Sequence, residues 1–163
     1  MHSRILGIVD KDFYAAHIDE YSWNLNCFEY ETPGFADYCS TDTDLDKDFM
    51  WLIECIVFET DAALINIDDK ELTIQFRPGF KEAYFRKKWE TLVKNVIGAP
   101  DAFDQFCGNK HTDFSYRCRK LLSKEFGFYV ADEYGSYETL DDFIRGVDYD
   151  KTYKVFASVD YHY

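Results

Sequence analysis

The sequence predicts an α+β fold, in which helices pack on a mixed or antiparallel sheet within a single compact domain. The chain has 163 residues, of which 47% are hydrophobic and 19% aromatic, and this suits one core that folds without disulfide support. Apolar residues alternate in some segments and recur at helical spacing in others. The only short connection between two predicted strands is a hairpin, which favours an α+β arrangement. We expect about five helices and about five strands.

The first half of the chain contains a strand, two helices and a hairpin. A short β-branched run over 4–9 predicts a buried strand, and apolar residues at helical spacing predict a helix over 11–21. The stretch 26–43 is aromatic, acidic and interrupted by Pro and Gly, which indicates irregular structure. A helix follows over 44–58. Alternating apolar residues on both sides of an Asp-Asp turn then predict a hairpin over 63–76.

The second half alternates helices with single strands. Helices are predicted over 80–97, 101–107, 113–125 and 140–147, and strands over 126–131 and 153–163. Thr139 is a suitable N-cap for the helix over 140–147.

Three of these elements carry specific burial expectations. The helix over 44–58 has two apolar sides, one of them containing Trp51 and Cys55, so we expect it to be buried on both. The helix over 80–97 has an expected core stripe of Tyr84, Phe85, Trp89, Leu92, Val93 and Val96. The last strand should place one set of residues on a single face, namely Tyr153, Val155, Ala157, Val159 and Tyr161.

The charge is distributed unevenly along the single domain. The net charge of −13 divides into −13 over residues 1–69, +5 over 70–125 and −5 over 126–163. An acidic surface repels nucleic acid and anionic membranes, so direct binding to either is not expected. A basic protein, such as a nuclease or another nucleic-acid-binding protein, is the complementary partner. We interpret the basic middle of the chain as the solvated faces of two helices that form salt bridges with the acidic parts.

The five cysteines are odd in number and irregular in spacing, and no apolar run approaches the length of a membrane span. These features predict a cytoplasmic protein with reduced thiols. No motif nominates a catalytic residue, a cofactor or a metal site. The acidic run that begins at Asp42 starts like a calcium loop, but its sixth position is Lys47 rather than Gly. Cys107, His111 and Cys118 do not have the spacing of a standard zinc site.

Two groups of acidic residues are the candidate partner-binding sites. Aromatic side chains interleave with both groups and would serve as contact anchors. The first group, an acidic face, consists of Asp10, Asp12, Asp19, Glu20, Glu29, Glu31, Asp37, Asp42, Asp44, Asp46 and Asp48. The second acidic cluster consists of Asp132, Glu133, Glu138, Asp141, Asp142, Asp148 and Asp150. Carboxylates about 6 Å apart, as at alternate strand positions or at i and i+4 of a helix, imitate a row of phosphates.

In its size, acidity and aromatic content the chain resembles anti-restriction and anti-CRISPR proteins of phages and other mobile genetic elements. The resemblance implies a non-catalytic DNA mimic that occupies the nucleic-acid-binding site of a host defence protein. One alternative is an immunity-type or accessory protein that blocks a single basic toxin or nuclease. Another is a small soluble enzyme of unknown reaction. A continuous acidic surface favours mimicry, a compact acidic patch around aromatic residues favours dedicated inhibition, and a deep cleft favours catalysis.

Overall fold

A computed structural model of the chain describes residues 2–17, 36–58, 60–108, 114–118, 127–132 and 136–162. Within these ranges, six α-helical segments pack with a seven-stranded mixed sheet in one compact domain. The predicted α+β class is therefore confirmed, although the expected numbers of helices and strands were slightly too low.

The sheet is built around its last strand. Its strands are β1 (His2–Asp10), β2 (Tyr38–Ser40), β3 (Ile65–Asp68), β4 (Thr73–Phe76), β5 (Tyr129–Ala131), β6 (Tyr137–Thr139) and β7 (Tyr153–His162). Their order is β3-β4-β7-β1-β5-β6, and β2 also pairs with β7. The pair formed by β1 and β5 is parallel, and the other pairs are antiparallel. Strand β7 consequently has β1 along one edge and β4 and β2 near the two ends of the other.

The helices are α1 (Lys11–His17), α2 (Leu45–Phe58), α3 (Phe80–Leu92), α4 (Ala102–Cys107), α5 (114–118) and α6 (Leu140–Gly146). Helix α3 continues into a π-helical turn, Val93–Ile97, in which the Gly98 amide donates to the Val93 carbonyl at 2.6 Å. The Thr139 hydroxyl accepts a hydrogen bond from the Asp142 amide at 3.1 Å, which confirms the predicted N-cap of α6.

Most predicted elements are present near their expected bounds. The structure describes only 11–17 of the predicted helix over 11–21 and 114–118 of that over 113–125, and the other residues of both lie outside the described ranges. The same is true of most of 26–43. Strands β2 and β6 were not predicted, because three residues are too few to show an alternating pattern.

The expectation that five alternate residues of β7 share one face is wrong. The register of β1 against β7 shifts between Gly7 and Ile8, so Phe156 is an extra residue in β7. Such a bulge reverses which side chains face each side of the sheet. Tyr153 and Val155 accordingly pack in the larger core cluster, whereas residues beyond the bulge, such as Val159, pack in a second cluster on the other face.

The larger cluster lies between the sheet and α2, α3 and α6. The predicted inner face of α2 is confirmed, since Phe49 and Leu52 are fully buried. The stripe predicted for the helix over 80–97 is only partly correct. Tyr84, Leu92 and Val96 are buried, but Trp89 is 61% exposed and Val93 is 39% exposed.

Candidate functional site

Acidic residues lie at both ends of β7. The start of β7 pairs with the end of β1, where Tyr153 lies opposite Asp10, and its end pairs with β2, where Asp160 lies opposite Ser40. Seven residues of extended chain separate these ends by about 23 Å. The acidic residues at one end of β7 are therefore separate from those at the other end.

At the Asp160 end, one arginine joins two carboxylates. The Arg4 side chain donates from Nε to Asp48 at 2.7 Å and from Nη1 to Asp160. Asp48 was predicted to lie on the acidic face, but it is only 4% exposed and acts as a structural counter-ion. A charged side chain in a buried strand needs such partners, because desolvation of an unpaired charge is costly.

The same arginine helps to position an exposed tryptophan. The Arg4 guanidinium lies 5.6 Å from the centre of the Trp51 ring. The rings of Trp51 and Phe128 pack edge-on, with their centres 4.8 Å apart. Trp51 nevertheless remains 38% exposed, and its neighbour Met50 is 46% exposed. The second side of α2, which we expected to be buried, is thus partly open to solvent, and its tryptophan is held between two buried or half-buried neighbours.

Asp46, Lys47 and Glu54 line the same surface as these exposed apolar residues, and Asp42 and Asp44 lie just before the helix. We call this surface the α2 patch, and it consists of Asp42, Asp44, Asp46, Lys47, Met50, Trp51 and Glu54. An open concavity of about 340 Å³ lies on it. Because the described residues that line it all belong to α2, it is a groove on one helix rather than an enclosed ligand pocket.

Asp44 has a structural role within the patch as well. Its carboxylate accepts a hydrogen bond from the Lys47 amide at 3.2 Å, as an N-cap does, and contacts the Lys47 ammonium at 2.7 Å. The hydrogen bond from the Lys47 side chain, helped by that from its amide, lowers the pKa of Asp44. Asp44 therefore stays ionised to a lower pH than an aspartate without these partners.

At the Tyr153 end, a second concavity opens beside the carboxyl ends of the parallel strands β1 and β5. Its volume is about 200 Å³, and its polar lining includes Asp10, Asp132, Glu138 and Lys151. The Lys151 ammonium lies 3.3 Å from the Asp10 carboxylate. This concavity joins one residue of the predicted acidic face to two of the second acidic cluster, and we call it the Asp10 concavity.

The carboxylates of the Asp10 concavity differ in their pKa. Burial opposes ionisation of Asp10, but hydrogen bonds from the Asp12 and Phe13 amides and from Lys151 outweigh it and lower the pKa of Asp10. Burial, followed by the nearby charges of Asp142 and Asp132, raises the pKa of Glu138. The concavity thus contains one firmly ionised carboxylate and one that takes up a proton more readily.

Other members of the second acidic cluster hold the fold together. Asp141 accepts hydrogen bonds from the Tyr84 hydroxyl at 2.9 Å and from the Lys88 ammonium at 2.6 Å, which ties α6 to α3. The Asp142 carboxylate contacts Arg145 at 2.6 Å within α6. Asp148 and Asp150 lie exposed in the turn before β7.

The remaining predicted residues are distributed between exposed positions and parts of the chain that are not described. Asp12 is exposed beside Asp10, and Asp37 is exposed near the Asp160 end, where its carboxylate lies 3.3 Å from His162 Nδ1. Asp19, Glu20, Glu29, Glu31 and Glu133 lie outside the described ranges.

Sequence reasoning did not nominate Arg4, Lys151 or Asp160, or recognise that Met50 and Trp51 are exposed. One signal was available for Arg4, because a charge within a buried apolar strand implies a buried partner. Nothing in the sequence indicated which carboxylates would supply it, since Asp48 and Asp160 are far apart along the chain.

Comparison of the chain with protein-family models, with curated proteins and with solved structures finds no match. Within the described part of the chain, no helix combines the length and apolar character needed to cross a membrane. Among the same residues, no three His, Cys, Asp or Glu side chains are grouped so that they could hold a metal ion. Cys39, Cys55, Cys107 and Cys118 carry free thiols.

Proposed function

We propose that this chain is a non-catalytic acidic inhibitor that binds a basic, nucleic-acid-binding protein, such as a nuclease or a host defence protein, in the cytoplasm. The observation that carries this proposal is the α2 patch. There, four exposed carboxylates and one exposed lysine accompany an exposed methionine and a tryptophan held by its neighbours. Positioned aromatic side chains within a polar rim are typical of the residues that dominate protein–protein binding energy.

The carboxylates of the patch lie along α2, where they can meet the cations of a partner. Asp46, Met50 and Glu54 follow one another at i, i+4 and i+8 on α2, so the two carboxylates lie about 12 Å apart along the helix axis. Asp42 and Asp44 extend this group at the start of the helix. Lysine and arginine side chains that hold nucleic-acid phosphates in the partner would form charge-assisted hydrogen bonds with these carboxylates.

The geometry favours dedicated contact with one partner over imitation of a long duplex. The Asp10 concavity lies at the Tyr153 end of β7, about 23 Å along the strand from Asp160, whereas the α2 patch adjoins the Arg4 group at the Asp160 end. An immunity-type inhibitor needs only a compact acidic patch around aromatic anchors. We therefore place blockage of one basic site ahead of general DNA mimicry of the anti-restriction or anti-CRISPR type.

The test is affinity capture from host lysate at low salt, with mass-spectrometric identification and competition by duplex DNA. The variant Asp42→Asn/Asp44→Asn/Asp46→Asn/Glu54→Gln removes the charges of the patch, and asparagine retains the capping ability of Asp44. The matched control, Asp68→Asn/Asp69→Asn/Asp148→Asn/Asp150→Asn, also removes four exposed charges, from the turn between β3 and β4 and the turn before β7. We expect the wild type and the control to capture nucleic-acid-binding proteins that the patch variant loses.

Two results would overturn this proposal. One is equal capture of the same proteins by all three chains, because the patch would then be irrelevant. The other is the recovery of no basic protein at any salt concentration. If DNA competes for many captured proteins rather than for one, mimicry replaces dedicated inhibition as the mechanism.

A second candidate function, a small-ligand or enzymatic site, is favoured by the Asp10 concavity. In open α/β sheets, ligands bind in the crevice outside the carboxyl ends of the parallel strands, and the Asp10 concavity has the corresponding position beside the parallel pair β1 and β5. The raised pKa of Glu138 is also a property of functional carboxylates. Thermal unfolding in the presence of a metabolite and cation panel tests this candidate, since a ligand that binds only the native state raises Tm. The rise should disappear in Asp10→Asn/Glu138→Gln.

A further inference from the structure

An exposed apolar surface lies far along the chain from the α2 patch, on α3, its π-helical turn and α4. We call it the α3–α4 surface, and it consists of Trp89, Val93, Ile97, Phe103 and Phe106. Trp89 is 61% exposed, Phe103 76% and Phe106 64%. The segments that carry these residues are consecutive, and α4 contacts the π-helical turn. Trp89 and Val93 were predicted to be buried in the core, so the sequence pattern alone did not indicate that they are exposed.

The area of this surface matches the apolar centre of a specific protein interface. An aromatic side chain offers about 200 Å², so the exposed fractions of Trp89, Phe103 and Phe106 together amount to about 400 Å². Val93 and Ile97 enlarge it further. A standard interface buries about 800 Å² on each partner, including its polar rim. The apolar area is therefore sufficient for the core of a stable dimer.

The charges around the surface indicate which partner fits. The exposed charged residues over 86–106 are Arg86, Lys87, Glu90, Lys94, Asp101 and Asp104, so three positive and three negative charges accompany the apolar side chains. A rim of one sign would repel a second copy of itself and attract an oppositely charged ligand such as nucleic acid or an anionic membrane. A rim of mixed sign is compatible with its own copy rotated by a two-fold axis, as an isologous interface requires.

We propose that two copies of this chain form a homodimer in which the α3–α4 surface of one copy packs against the same surface of the other. The dimer leaves the α2 patch to other partners, because the patch is on a different helix. Its main contribution is apolar burial, so the association is expected to be insensitive to salt.

The test is the solution mass of the full chain, measured by sedimentation velocity across about 1 to 100 µM, where a micromolar dissociation constant is visible. The wild type should have twice the monomer mass of 19.3 kDa, and should keep it at about 1 M salt, where the screening length is about 3 Å. The variants Trp89→Glu and Phe103→Glu should each be monomeric. The matched control Ile67→Glu, at an exposed apolar position on the edge strand β3, should remain dimeric.

Circular dichroism and Tm establish that the variants are folded, since both substituted side chains are mostly exposed. A wild type that is monomeric throughout the concentration range overturns the proposal, including the case in which the monomer floats with anionic vesicles. A dimer that both variants retain also overturns it. A dimer that dissociates at high salt and is lost in the α2-patch variant would instead show head-to-tail association of acidic and basic surfaces.

Discussion

The two ends of β7 use the same residue type, aspartate, in opposite ways. At the Asp160 end, Asp48 and Asp160 converge on the one guanidinium of Arg4, and the group is largely withdrawn from solvent. At the Tyr153 end, Asp10, Asp132 and Glu138 share an open concavity with the single ammonium of Lys151. A carboxylate that is buried beside a cation stabilises the fold. Carboxylates that outnumber the neighbouring cations in an open concavity can instead bind a ligand or partner.

The largest effect is expected from breaking the buried group. Replacement of Asp48 by Ala leaves Arg4 with one of its two carboxylates, and breaking a buried ion pair costs about 3–5 kcal/mol. Since Arg4 is 21% exposed and retains Asp160, we expect a loss of about 3 kcal/mol in the free energy of unfolding, measured by urea denaturation. The exposed neighbour Asp46→Ala should lose less than about 0.5 kcal/mol. Equal losses for the two variants would show that Asp48 is not a structural counter-ion.

A smaller effect should come from the bulge that separates the two ends. A Cβ atom added at Gly7 would lie 2.7 Å from the Phe156 ring. Because Phe156 is only half buried and its ring can move, we expect Gly7→Ala to cost about 1 kcal/mol, near the lower limit for overpacking. Denaturation of Gly7→Ala/Phe156→Leu provides the check, since the smaller side chain should recover most of the loss. The control is Gly146→Ala, where no atom lies within 4 Å of the added Cβ.

The smallest effect concerns pH at the open end. The pKa of Glu138 is raised in the folded state, so its ionised form is disfavoured on folding, and stability is lost as pH rises from the ordinary glutamate pKa of about 4.3 through the folded value. Glu138→Gln should remove this loss and stabilise the protein at neutral pH by less than about 1 kcal/mol, because exposed charges are screened. Thermal unfolding at pH 4 and pH 7 measures the effect. If the difference in stability between Glu138→Gln and the wild type is the same at pH 4 and at pH 7, the pKa of Glu138 is not raised in the folded state.

The predictions that were confirmed are those that depend on residues close together in the sequence. The inner face of α2, the N-cap of α6 and the hairpin of β3 and β4 were predicted correctly, because each follows from residues within one or two turns of one another. The core stripe of α3 was only partly correct. Helical periodicity shows that Trp89 and Val93 lie near an apolar face, but not whether another element covers them.

The sequence by itself determined the α+β class, the main helices and strands, and the unequal distribution of charge, since these depend on local spacing and composition. Only the tertiary structure decided which acidic residues meet. It paired Asp48 and Asp160, 112 positions apart, through Arg4, and brought Asp10 beside Asp132 and Glu138 through the parallel pairing of β1 and β5. It also reversed the faces of β7 at Phe156. Strand register and burial of charge are set by contacts between distant segments, and no local pattern contains them.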